Sequence, residues 1–165
     1  MPPGTFRQWV GLMDALGIIV GLDIGEARTG IARSDALQML AFPHSVVRAG
    51  TESEMANGIA AALRELSPVL VVAGMPLNQN GEPGPQAARV ASLIDQLRTM
   101  TPVEIVVQDE RYTTAEALRV ARDMNTRGKT RKNKVDQVAA ALILQTYLDR
   151  RGAHAAGETH SSPQG

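Results

Sequence analysis

Hydrophobic and polar positions follow one another along the chain in blocks that predict strands and helices in turn. The first block, GIIVGLD at 17–23, is rich in β-branched residues and is typical of a buried strand. The segments 29–34 and 41–47 are predicted to add a second and a third strand. Two further apolar runs, 69–73 and 103–107, predict strands of the parallel kind that is buried on both faces.

Other segments place apolar residues three and four positions apart, as an amphipathic helix does. Helices are predicted over 51–66, 85–100, 113–122 and 134–149. Either Thr51 or Ser53 can cap the first of them. The resulting order βββαβαβαα predicts an α/β domain in which a mixed five-stranded sheet carries helices on both faces.

The folded domain is expected to span 17–150. Residues 1–16 are poorly patterned and are expected to form an extension outside the fold, and Met13 is a possible true start of translation. Residues 151–165 are rich in Gly, Ala, Ser and His and are expected to be a disordered tail.

Composition excludes several classes of function. The chain has no cysteine, so disulfides, zinc–thiolate sites and cysteine nucleophiles are excluded. Aromatic residues make up only 3%, which argues against a stacking platform for single strands. No apolar run approaches the ~20 residues of a membrane span, and the N-terminal residues lack the pattern of a signal peptide. A cytoplasmic protein without a membrane partner is therefore expected.

The net charge is zero, but the basic residues are unevenly placed. Between 119 and 134 the chain carries seven lysines and arginines against the single acid Asp123. Such a cluster can neutralise nucleic-acid phosphates. A solvated loop with an accidental run of charge would give the same pattern.

Acidic residues adjoin three of the predicted elements. Asp23 ends the first strand, Asp109 and Glu110 closely follow the strand at 103–107, and Asp136 lies in the first turn of the last predicted helix. In open α/β sheets, sites form at the carboxyl ends of strands, and a lone buried carboxylate is costly. Each acid also has a purely structural interpretation, as a turn or cap residue or as a partner of the helix dipole.

Convergence of Asp23, Glu110 and Asp136 would bring three carboxylates into mutual repulsion, which a hard divalent cation relieves. Mg²⁺ prefers oxygen ligands and keeps several waters, so it needs few protein carboxylates. Two such ions can activate a water and stabilise the leaving oxygen of a phosphodiester. His44 is isolated and the other two histidines lie in the tail, so a histidine metal site is not expected.

Four blocks of sequence go beyond these general patterns. They are GLDIGEARTGIARSD (21–35), VVAGMPLNQNGEPGPQA (71–87), DERYTTAEA (109–117) and KNKVDQVAAALILQTYLD (132–149). In content and order they resemble the YqgF family, whose members are described as pre-16S ribosomal RNA nucleases or Holliday junction resolvase-like proteins. The resemblance implies a ribonuclease H-like fold and an endonuclease that depends on Mg²⁺ or Mn²⁺. It also implies that Asp23, Glu110 and Asp136 are the catalytic metal ligands.

Further residues are candidates for roles around this centre. Asp109 is expected to contact the metal ligands without binding the metal itself. Contacts with nucleic acid are expected from Arg28, Asn78, Arg111, Lys129, Arg131, Lys132 and Lys134. Gly25 and Gly30 either let the backbone approach phosphate or serve hairpin geometry, and Asn78 is equally suited to a turn.

The sequence leaves the substrate open. Processing of the 5′ end of pre-16S ribosomal RNA in ribosome biogenesis is expected, by a monomer or a homodimer. The alternative is a Holliday junction resolvase for DNA recombination and repair, which would need a two-fold dimer to cut a four-way junction symmetrically. An alternative of another class is a non-catalytic RNA-binding factor in ribosome assembly. A sugar kinase or actin-like enzyme also has a DxG turn, but it needs a duplicated domain for which this chain is too short.

Overall fold

A computed structural model describes residues 16–110 and 129–158 of the chain, with side chains described over 16–110 and 134–152. The elements are β1 Ile19–Ile24, β2 Arg28–Ser34, β3 Ala41–Arg48, α1 Glu52–Leu66, β4 Leu70–Met75, α2 Pro85–Met100, β5 Ile105–Asp109 and α3 Lys129–Glu158. The extension at 1–15, the helix predicted at 113–122 and residues 159–165 lie outside the described residues.

The five strands form one mixed sheet in the order β3-β2-β1-β4-β5. The first three strands pair antiparallel, and β1 pairs parallel with β4, which pairs parallel with β5. One core cluster joins the sheet to α1 and α2, and a second joins its opposite face to α3. The prediction of a mixed five-stranded sheet with helices on both faces is confirmed.

The first two helices begin and end where the sequence predicts. Thr51 is the N-cap of α1, since its hydroxyl accepts a hydrogen bond from the Glu54 N–H at 3.2 Å. Ser67 ends that helix in the left-handed conformation (φ 47°), directly before Pro68. Pro85 occupies the first turn of α2, where its missing N–H costs no hydrogen bond.

The later elements differ from the predicted bounds. β5 lies two residues further on than 103–107, because its pairing with β4 continues as far as Asp109. α3 begins at Lys129 rather than 134 and includes 151–158, the first part of the predicted tail. Alanine, lysine and arginine all favour the helix at these ends. No helix within the described ranges combines the length and apolar character that crossing a membrane requires.

Candidate active site

The face of β1 beneath α3 changes along the strand from the bulky apolar Ile19 to the small Gly21 and the acidic Asp23. Alternation along the strand sends Val20 and Leu22 into the core shared with α1 and α2, and sends Gly21 and Asp23 towards α3. A Cβ on Gly21 would lie 2.7 Å from the Cβ of Leu144, so α3 crosses β1 in direct contact. Asp23 is thereby covered, with 3% of its surface exposed.

Both cross-strand neighbours of Asp23 are glycines. Gly30 on β2 is its pairing partner. On β4, Ala73 pairs with Leu22, so Gly74 lies beside Asp23 one position further along. We call Gly30, Asp23 and Gly74 the glycine-flanked row. Each glycine leaves space on the α3 side of the sheet, and an acidic residue from another element fills that space.

Glu110 fills the space above Gly74. It follows β5 directly, and its N–H donates to the Met75 carbonyl at 3.2 Å, so it continues the strand pairing by one residue. A Cβ on Gly74 would overlap the Glu110 carboxylate, which therefore lies against the glycine. The Glu110 carboxylate therefore lies over β4, the strand next to the one that carries Asp23. Glu110 is 2% exposed.

Asp136 lies on the other side of the row. Its backbone carbonyl packs so closely on Gly30 that a Cβ there would overlap it. The residue is 1% exposed, and its Oδ2 lies 3.1 Å from the Arg28 Nε. Because α3 begins at Lys129, Asp136 is the eighth residue of the helix. The prediction that Asp136 lies in the first turn is wrong. The helix-dipole interpretation is wrong as well, because the dipole stabilises acids only within the first turn of a helix.

The three acids adjoin one row, but their side chains do not form a single cluster. Nowhere in the described residues do three or more acidic or histidine side chains form a group ready to hold a metal ion. The chemistry of the donors nevertheless fits one, because all three are nearly buried carboxylates and offer the oxygen ligands that hard divalent cations prefer. Asp136 is held by Arg28 in this arrangement.

The remaining predicted residues occupy varied positions. Asp109, the last residue of β5, lines a shallow depression of about 430 Å³ with Tyr147 and Arg150, a pocket to which none of the three acids contributes. Asn78 is exposed and forms a turn in which its N–H donates to the Glu82 carbonyl at 3.0 Å.

The predicted basic contacts are only partly visible. Lys134 is exposed on α3, two residues before Asp136. Lys129, Arg131 and Lys132 also belong to α3, although their side chains are not described. Arg111 lies outside the described residues.

Sequence reasoning missed Gly74 and Gln108, and it misjudged Gly30. Gln108 is 6% exposed, and its side-chain amide donates to the Ile143 carbonyl at 3.0 Å, which ties β5 to α3. A glycine inside an apolar strand is a signal of close approach. That signal applies to Gly74 and to Gly30, where the approaching group is α3. Gly25 serves hairpin geometry, since its N–H donates to the Arg28 carbonyl at 2.8 Å.

Comparison with known proteins shows the family to which the chain belongs. The model of the RuvX family, described as Holliday junction resolvase, matches residues 17–150. A protein of Roseiflexus sp. (strain RS-1) named "Putative pre-16S rRNA nuclease" is 39% identical over 133 residues, covering 81% of this chain and 94% of the relative. A protein of the same name from Lactococcus lactis subsp. cremoris (strain MG1363) is 39% identical over 139 residues, covering 83% and 95%.

Among solved structures, T. thermophilus RuvC in complex with a Holliday junction substrate is similar with a TM-score of 0.50. The match covers 82% of this chain and 96% of the RuvC chain. Because the two sequences are only 15% identical, the likeness shows the fold alone. The prediction of a ribonuclease H-like fold is confirmed by this likeness. By the family match and the relatives, the chain belongs to the RuvX (YqgF) family and is a nuclease that hydrolyses phosphodiester bonds.

Proposed function

We propose that this nuclease processes the 5′ end of pre-16S ribosomal RNA and that Asp23, Glu110 and Asp136 are its catalytic residues. The observation that supports the site assignment is that three nearly buried acids from separate chain segments adjoin the glycine-flanked row. The names of the two relatives support a ribosomal RNA precursor as the substrate. Such a substrate corresponds to a cytoplasmic role in ribosome biogenesis.

Membership in this nuclease family implies a divalent metal, and we propose Mg²⁺ or Mn²⁺ held by the same three carboxylates. The bound ions would activate a water and stabilise the leaving oxygen of the phosphodiester. Asp23 is central because Glu110 and Asp136 adjoin it from opposite sides of the row. Burial under α3 keeps bulk water from the carboxylates and so strengthens their attraction for a cation.

Substrate contacts are proposed along the first turns of α3. Lys134 is exposed two residues before Asp136, on the part of α3 that carries this acid. The other basic residues of this stretch are Lys129, Arg131 and Lys132. Each one that meets duplex phosphate would add about 0.9 to the slope of log affinity against log salt.

A cleavage assay tests the assignment. Precursor 16S RNA fragments and a four-way DNA junction are incubated with the protein, with and without Mg²⁺ or Mn²⁺. We expect metal-dependent cutting of the RNA that Asp23→Asn abolishes while the fold and most of the binding remain. Asp95→Asn is the matched control, since Asp95 is exposed on α2, away from the acids. Undiminished cutting by a clean Asp23→Asn preparation would defeat the catalytic assignment.

A four-way DNA junction is the second candidate substrate, favoured by the description of the family. Symmetric resolution of a junction requires two active sites related by a two-fold axis. This candidate therefore predicts a dimer in sedimentation experiments and paired cuts in opposite strands. A non-catalytic RNA-binding factor predicts binding with the same salt dependence and no cleavage by any preparation.

A further inference from the structure

Arg28 is a basic side chain that contacts one of the three acids, Asp136. It begins β2 two residues before Gly30, so alternation places its side chain on the α3 side of the sheet. Its Nε lies 3.1 Å from the Asp136 Oδ2. The side chain of Arg28 is 18% exposed, whereas that of Asp136 is 2% exposed. One partner of this ion pair therefore borders solvent and the other does not.

We propose that Arg28 is an exchangeable counter-ion, which neutralises Asp136 until a divalent cation binds and is then released towards the substrate phosphate. This inference rests on the proposed function, because it assigns Asp136 to the metal. It goes further because the Asp136 carboxylate pairs with Arg28 when no metal is bound and with the metal when one is.

The need for such a counter-ion follows from burial. Burying a charged carboxylate is costly unless a cation balances it, and Asp136 is 1% exposed. The Arg28 guanidinium balances the charge of Asp136 without a metal, through an ion pair rather than a hydrogen bond. A metal that binds the same oxygen must displace it, since two cations cannot share that position without repulsion. The exposed edge of Arg28 gives the side chain a route away from the carboxylate.

The released guanidinium would also suit the reaction. Arginine presents paired N–H donors that match phosphate oxygens in a two-pronged contact. Because β2 starts beside the end of β1, where the Gly25 N–H donates to the Arg28 carbonyl, a freed Arg28 stays close to Asp23. Metal binding would thus supply a phosphate contact at the site that it completes.

A different role for Arg28 makes the opposite prediction. If Arg28 remained on Asp136 and only oriented the carboxylate for the metal, its loss would weaken metal binding by about 10–100-fold, as the loss of outer-shell partners does. If it is exchanged, its loss removes both a competitor and a repelling charge. Metal binding then tightens by about ten-fold or more, because a charge at this distance alters a carboxylate's affinity for a proton by a similar factor.

The test is a calorimetric titration of the full chain with MgCl₂, together with thermal unfolding at zero and saturating Mg²⁺. Arg28→Met should bind Mg²⁺ about ten-fold more tightly than wild type, unfold at a lower temperature without metal, and recover most of that difference with it. Arg33→Met is the matched control, since Arg33 is exposed on the same strand, and it should change neither quantity. Weaker or unchanged Mg²⁺ binding by folded Arg28→Met would overturn the proposal.

A measurement on the wild-type protein covers the case in which Arg28→Met does not fold. The Nε–H resonance of Arg28, assigned with Arg28→Lys, should move as Mg²⁺ is added, and an unmoved resonance at saturation would overturn the exchange. The proposed function fails separately. If Asp23→Asn still cuts nucleic acid, the site assignment is wrong. If Asp23→Asn is inactive while Arg28 keeps its partner, only the exchange is wrong.

Discussion

A single added methyl group at Gly74 should greatly reduce cleavage while the protein still folds. The Cβ of alanine at this position would overlap the Glu110 carboxylate and lie 2.8 Å from the Ile143 Cδ1. Both of these groups are the far ends of side chains that can rotate. Gly74→Ala should therefore leave the backbone in place and push Glu110 away from Asp23.

The structure sets the size of both effects. Overpacking against movable side chains costs about 1–3 kcal/mol, which corresponds to a fall of about 2–12 °C in Tm for a chain of this size. To clear the new methyl group, the carboxylate must move by more than about 1 Å, and a misplacement of that size in a catalytic group lowers the rate by about 100-fold. Cleavage should thus fall at least about 100-fold while the protein remains folded at 25 °C.

The assay is metal-dependent cleavage of an end-labelled substrate, measured beside thermal unfolding of the same preparations. Gly58→Ala is the control, because its Cβ would lie 2.5 Å from the Val47 Cγ1 on α1's side of the sheet, away from the acids. It should keep wild-type cleavage. Wild-type cleavage by folded Gly74→Ala would refute the placement of Glu110 in the site, and equal losses in both variants would show a general effect of crowding.

Three further predictions concern the packing of Gly30, the cap of α1 and the ionisation of Asp35. Gly30→Ala forces a Cβ into the backbone of α3, which cannot rotate away, so urea unfolding should show a loss larger than that of Gly74→Ala, above about 3 kcal/mol. Thr51→Ala should lower the unfolding free energy by about 1 kcal/mol through loss of the α1 cap, whereas Ser53→Ala should change it by less than about 0.5 kcal/mol. The backbone N–H of Leu40 is the main group that lowers the pKa of Asp35 from its ordinary 3.8. Because this pKa is lower in the folded than in the unfolded protein, ionised Asp35 stabilises the fold at a pH above its unfolded pKa. That stabilisation is lost as the pH falls through the folded pKa. When the free energy of unfolding is compared between about pH 5 and pH 2, Asp35→Asn should therefore lose less stability than wild type.

The sequence predicted those elements whose own residues determine their bounds. The α2 bounds are the predicted ones because Pro85 marks the start of an uninterrupted apolar period. Thr51 and Ser53 were equal candidates for the cap of α1, and only the structure distinguished them. Asp23 was predicted to end β1, but it is the residue before the last, because Ile24 still pairs with Thr29 on β2.

The sequence failed where partners from distant segments determine an element. The polar residues Gln108 and Asp109 end the apolar pattern of β5, yet both belong to the strand because they pair with β4. The basic residues before Val135 show no apolar period, so the pattern placed the start of α3 five residues late. Lysine and arginine are nevertheless good helix formers, and the helix begins at Lys129.

The glycine-flanked row is the strongest argument that Asp23 is more than a turn residue. An acid at a strand end needs no particular neighbours across the sheet, and glycine inside a strand costs about 0.5–1 kcal/mol relative to alanine. On the same side of the sheet, Ile19 and Val72 are apolar and pack against α3, whereas Gly21 lets α3 approach β1. Two of the three glycines on the α3 side of β1, β2 and β4 therefore flank Asp23, where three nearly buried acids adjoin the row. Departures from good packing that cluster in this way are expected at functional sites, and a purely structural sheet would have placed β-branched residues there.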